Sequence, residues 1–171
     1  MTDESAAAPA PATWREQAVA RSLDPARVRA EKRVQRFLDA ALDLMTTSSG
    51  KDFTVQEVVE RSGQSLRSFY QYFAGKYELL LALFEESVRN TAEQLSVVVA
   101  AESDPLERLR RFCTEYYAIC EPGPTNGPKT GPALAQFAQQ LLTEHPKEAA
   151  RAFVPLVTLL EQVLAAAVLR G

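Results

Sequence analysis

Residues 54–76, TVQEVVERSGQSLRSFYQYFAGK, hold two short helix signals on either side of a single glycine. Thr54 and Glu57 form a Thr-x-x-Glu capping box, which satisfies two amide donors that a helix start leaves orphaned. Val55, Val58 and Val59 give the helix that follows one apolar face. Gly63 ends it, at a position suited to the positive φ of a tight turn. Ser65 then caps a second short helix, predicted over residues 66–73. At about 100° per residue, Phe69, Phe73 and Leu66 fall within roughly 60° of one another and form the stripe predicted to pack inward. Arg67 and Gln71 fall on the opposite side, with Ser68 and Tyr70 flanking them.

Working outward, Val34, Phe37, Leu38, Ala41, Leu42 and Met45 recur at steps of three and four and mark a longer helix ahead of this pair. Asp24 and Pro25 suit its first turn, and the stretch from Thr46 to Gly50 suits its end. Residues 1–24 are rich in Ala and Pro without a periodic apolar face, and are predicted to be a disordered arm. After Ala74 and Gly75, helices are predicted at about 76–101, 105–120, 132–143 and 146–169. The segment EPGPTNGPKTGP, residues 121–132, holds four prolines and three glycines and is predicted to be a loop. Valine, isoleucine and threonine runs are scarce, whereas Ala, Leu, Glu and Arg, good helix formers, dominate. The fold class is therefore all-α: an N-terminal three-helix helix-turn-helix domain followed by a helical bundle. The expected organisation is a disordered arm at 1–24, a helix-turn-helix domain at 25–78 with its motif at 54–73, and a helical domain at 79–171.

With 171 residues, 46% of them hydrophobic, the chain can bury a real core. Its net charge is −3, so no overall basic excess announces a nucleic-acid partner. The distribution is more telling. Residues 25–78 hold 9 Lys/Arg against 7 Asp/Glu, and residues 79–171 hold 8 against 11. The positive part coincides with the helix pair, although a run such as Arg27–Arg36 is most often a solvated face. Cys113 and Cys120 lie two helical turns apart, too far to bridge, and read as small buried residues. One histidine, His145, and no Cys/His cluster leave neither a metal site nor a cofactor site to propose. Met1–Ala12 lacks the pattern of a signal peptide, and no uninterrupted apolar run is long enough to span a membrane. A cytoplasmic protein is expected.

Two short helices joined at a glycine and braced by a longer one are what a major-groove reader requires. The helix of residues 66–73 must bury one stripe and offer the other to DNA, where Arg and Gln can read base edges bidentately. The whole stretch 54–76 resembles the signature of TetR-type regulators. The matching positions are Thr54, Val58, Gly63, Ser65, Phe69, Tyr70, Tyr72, Phe73 and Lys76, with LDAALDL at 38–44 similar to the family's first helix. The resemblance implies that operator DNA is bound by the first three helices. It places Thr54, Tyr72 and Lys76 at phosphate-contacting positions and Leu66, Arg67 and Tyr70 at groove-facing ones. Gln64 and Tyr72 depart from the commoner residues at their positions. Leu66 is a conflict: the wheel packs it inward and the family position faces the groove. With Ser65, Ser68 and Gln71 these residues make up the candidate DNA-binding set.

The resemblance further implies a ligand-responsive repressor, acting as a homodimer on double-stranded operator DNA. Phe112, Cys113, Tyr116, Tyr117, Phe137 and Phe153 are candidates to line a pocket for a small apolar effector, with bundle core as their bland alternative. The two long helices through which the family dimerises are expected to be lacking after Leu169. No catalytic constellation is present: there is no phosphate loop, and Glu85, Glu86 and Glu144 read as exposed helix residues. The remaining rival is a helical adaptor that binds ligand or protein and has no DNA activity.

Overall fold

The computed structural model describes residues 14–47, 52–120 and 131–169, and the regular elements among them are all α-helices. They are α1 (Trp14–Thr47), α2 (Val55–Ser62), α3 (Leu66–Tyr72), α4 (Lys76–Ala100), α5 (Pro105–Cys120), α6 (Gly131–Glu144) and α7 (Pro146–Val168). The chain is all-α, as expected. It divides into two compact units, Met1–Arg36 and Phe37–Gly171, so α2 and α3 fall in the same unit as the later helices.

The described part of the first unit is helical, which corrects the expectation of an arm through residue 24. Helix α1 starts at Trp14 and carries Pro25 inside it instead of in its first turn. Residues 14–24, WREQAVARSLD, lack an apolar stripe but consist mostly of good helix formers. Joined to a longer helix they need only propagation, and the costly nucleus forms elsewhere. Arg27 sits 4.0 Å from Asp24 and 3.7 Å from Glu31, exposed pairs of small energetic weight. Residues 1–13 of the expected arm lie outside the described residues, as does Gly50.

In the second unit, Phe37, Leu38, Ala41, Leu44 and Met45 of α1 are buried, together with Val58 and Val59 of α2. Arg61 of α2 is ion-paired with Asp43 of α1 across their exposed edge. Gly63 closes α2 with φ 65° and ψ 26°, and its N–H donates to Glu60 O at 3.2 Å. Gln64 N–H donates back to Val59 O at 3.3 Å. This left-handed closure turns the chain sharply into α3.

Helix α4 buries Leu79, Leu83, Phe84, Val88, Ala92, Leu95 and Val99, and packs against α5, α6 and α7. Helix α7 buries Ala149, Ala152, Leu156, Val163 and Ala167. It is long and apolar enough by composition to cross a membrane, although one face is packed into the bundle. Cys113 and Cys120 are both exposed, which corrects their reading as buried residues. Phe112, one residue before Cys113, is the position of α5 that turns into the core. Residues 121–130 of the expected loop lie outside the described residues.

A Cβ at Gly63 would meet nothing within 4 Å, so any substitution there is felt through the backbone alone. Gly63→Val should destabilise the fold by about 1–3 kcal/mol, and Gly63→Asn by distinctly less, because Asn tolerates the left-handed region. Urea denaturation of the three proteins checks this. Equal midpoints for Val and Asn would show that the turn does not depend on positive φ.

Candidate nucleic-acid interface

The rotation of α3 about its own axis decides which side chains it shows to solvent. Phe69, fully buried, fixes that rotation. Its ring meets Phe37 edge-on at 5.4 Å and lies 5.3 Å from Phe73, which itself meets Phe37 at 6.1 Å. Such aromatic pairs add about 0.5–1.5 kcal/mol each beyond their buried area. Phe73 is the C-cap of α3, in extended conformation at φ −133°. It packs from beyond the helix end, so the 100° rule does not govern its direction.

With Phe69 as the anchor borne by the helix, the side away from the core carries Leu66, Arg67, Tyr70 and Gln71, all exposed. Leu66 is 43% exposed, which corrects the inward packing drawn from the wheel. The wheel had centred its stripe between Phe69 and a Phe73 that is not helical. Tyr70 is 56% exposed while its ring edge rests on Phe69 at 5.4 Å. Arg67 and Gln71 make no hydrogen bond or ion pair among the described residues. Ser65 caps the helix, its hydroxyl accepting from Ser68 N–H at 3.1 Å. The Ser68 hydroxyl is buried with no hydrogen-bond partner among the described residues. Tyr72 is half-buried in the last turn.

Thr54 and Lys76 have internal employment. The Thr54 hydroxyl accepts from Glu57 N–H at 3.2 Å and donates to the Glu57 carboxylate at 2.9 Å, while Thr54 N–H donates to the same oxygen at 2.7 Å. A threonine hydroxyl has one proton to donate, so serving a phosphate would require releasing Glu57. These bonds, the Thr54 backbone N–H first, hold the Glu57 carboxyl below the usual carboxylate range. Lys76 donates to the Asp52 carboxylate and to Phe53 O, with its Nζ 4.3 Å from the centroid of the Phe53 ring. The Lys76 hydrogen bond likewise holds the Asp52 carboxyl below its usual range. This clamp ties the start of α4 to the chain entering α2. An opposite charge two residues before the Thr54 cap was its signal in the sequence, and that signal is weak.

The next residue, Tyr77, joins the start of α4 to α7 by donating its hydroxyl proton to Glu148. Burial, then Glu148, pushes the phenol up to about 12, so it remains a donor at neutral pH. Its ring lies 5.7 Å from Phe137 and 5.1 Å from His145. Phe84 meets Phe137 at 6.4 Å and Phe153 at 5.5 Å. Two of the six pocket candidates, Phe137 and Phe153, therefore share one aromatic cluster, to which Phe84 and Tyr77 were not assigned from the sequence. Phe112 and Tyr116 stack on each other along α5 at 5.9 Å. Cys113 and Tyr117 face solvent, which removes them from a buried lining.

Residues 37–83 match the family model described as bacterial regulatory proteins, tetR family. This stretch is of the tetR type. The matched stretch runs from Phe37 of α1 to Leu83 of α4 and so takes in the aromatic anchor, the Gly63 turn and the Lys76 clamp. No curated protein and no solved structure matches the chain. The match supports a DNA-binding transcriptional regulator, with α2 and α3 as the TetR-type helix pair inside the matched residues.

Asp52 and Glu57 both have folded pKa values below their unfolded values of about 3.9 and 4.3. Their stabilisation is thus fully present above those values and is lost as pH falls through the folded ones. Asp52→Asn should lower the melting temperature at neutral pH and flatten its decline between about pH 5 and pH 3. A decline as steep as that of the parent protein would remove the Asp52–Lys76 clamp from the account.

Proposed function

We propose that the chain is a sequence-specific DNA-binding repressor whose reading surface is Leu66, Arg67, Tyr70 and Gln71 on the outer side of α3. The observation that carries this reading is an exposed Arg67 and Gln71 with no hydrogen-bond or ion-pair partner among the described residues, on a helix whose rotation is locked from behind. A fixed helix with free Arg and Gln side chains loses little on docking and can hydrogen-bond base edges in the major groove. In this reading Tyr72 reaches phosphate from the end of α3. Ser65 stands at the helix start, where the free N–H groups of the first turn favour a phosphate oxygen, while Ser68 serves the Ser65 cap through its N–H. Thr54 and Lys76 act by holding the starts of α2 and α4.

The division of labour follows the charge: a reader within residues 25–78 and a regulatory bundle over 79–171. The protein acts in the cytoplasm as a homodimer on double-stranded operator DNA. A small apolar effector enters beside the cluster of Phe84, Phe137 and Phe153 and displaces α4 through Tyr77 and Glu148. A 100-fold preference of effector for the DNA-incompetent state corresponds to about 2.7 kcal/mol of coupling. The rival adaptor reading demands no salt-dependent affinity for DNA.

Selection of genomic fragments on the immobilised protein, followed by sequencing, supplies the operator. On that operator Arg67→Ala should cost about 1–3 kcal/mol and relax preference at one base position. The loss on a scrambled duplex should be smaller. Equal losses on both duplexes would make Arg67 a backbone contact, and failure to enrich any sequence would sink the regulator reading.

A further inference from the structure

The charges of residues 24–36 on α1 are sorted by face. With Arg27 at zero and about 100° per residue, Asp24 and Glu31 fall within roughly 60° of it. Both carboxylates stand beside its guanidinium, at 4.0 Å and 3.7 Å. Arg29, Lys32, Arg33 and Arg36 fall on the other side, between roughly 140° and 240°. They follow the i, i+3, i+4, i+7 spacing of one helical stripe, and all four are exposed. Arg29, Lys32 and Arg36 make no hydrogen bond or ion pair among the described residues. The next carboxylates along the helix, Asp39 and Asp43, belong to the second unit, where Asp43 pairs with Arg61. The stripe lies wholly in the first unit, ahead of the residues that match the family model.

An ordinary solvated face mixes signs, because opposite charges four residues apart support a helix and like charges weaken it. Here Arg29–Arg33 and Lys32–Arg36 are both like pairs at that spacing, a cost that an anionic partner removes. The stripe rises about 10 Å along the axis. Over that length one strand of duplex DNA presents about three phosphates. The forked donors of arginine match phosphate oxygens two at a time. An anionic membrane fits less well. A helix lying on one needs bulky apolar residues opposite its basic face, and that side of α1 carries Asp24, Arg27 and Glu31.

We propose that Arg29, Lys32 and Arg36 form a grip on the phosphate backbone of duplex DNA, indifferent to base sequence and separate from the reading surface of α3. It rests on the DNA-binding reading given above and adds a second surface to it. Affinity of the full chain for the selected operator and for a scrambled duplex, measured from about 50 to 200 mM salt, tests it. Circular dichroism checks the folding of each variant. Arg29→Gln, Lys32→Gln and Arg36→Gln combined should lower the salt slope by about two to three units on both duplexes. Their affinity ratio should stay within about twofold of the parent's. Lys32→Gln alone should lower the slope by about one unit. The charge-conserving pair Arg29→Lys and Arg36→Lys should keep it, and Arg27→Gln, on the paired side, should move it by less than about half a unit. An unchanged slope in the triple variant would overturn the proposal and leave the reading surface of α3 standing. A loss confined to the operator, or parent binding to phosphatidylglycerol vesicles as tight as to the duplex, would overturn it as well. A slope that falls on scrambled DNA, in a protein that prefers no sequence, keeps the stripe and removes the repressor. A parent that binds neither duplex removes both.

Discussion

The edge-on contact of Phe37 with Phe69 is the constraint on which the proposed reading surface depends. Helix α3 has seven residues, too few to be stable on its own propensity. Its rotation is set by what Phe69 finds behind it, and Phe37 on α1 with Phe73 at the helix end supplies that backing. Turn α3 by one residue and Arg67 and Gln71 would no longer point away from the core. Cap, turn and clamp all serve that placement. The Thr54–Glu57 box starts α2, Gly63 turns the chain, Ser65 starts α3, and Lys76 returns the start of α4 to the entry of α2.

Helix α4 is the element shared by reader and bundle. Its first residue, Lys76, is engaged with Asp52 and Phe53 on the reader side, and the next, Tyr77, with Glu148 of α7. Further along, Glu85 accepts from Arg151 of α7 at 3.0 Å. Exposed pairs of this kind add little to stability singly. Their position matters more, because they tie α7 to the helix that carries the Lys76 clamp.

The elements with local chemical signals were legible in the sequence. Thr54, Glu57, Gly63 and Ser65 each act within three or four residues of chain, and each stands where its type predicts. Signals that depend on tertiary backing were harder to read. The wheel failed at Leu66 because Phe73 packs from an extended cap, a departure no helical period contains. Cys113 read as buried from its residue type, whereas the single inward position of α5 nearby is Phe112. The helical stretch 14–24 was missed because it has no apolar stripe and Pro25 looked like a beginning. The Lys76–Asp52 pair spans 24 residues, and an acidic residue just before the Thr54 cap announces it only weakly.

The central claim is that the outer side of α3 meets DNA base edges while the clamp residues stay internal. Nuclear magnetic resonance of the labelled protein, titrated with its selected operator duplex, tests this most directly. The account predicts that side-chain signals of Arg67 and Gln71 shift and slow in exchange on the operator. The Lys76 ammonium and the Thr54–Glu57 cap should keep the environments they have in the free protein. Shifts concentrated at Lys76 and Thr54, with Arg67 and Gln71 unmoved, would contradict it.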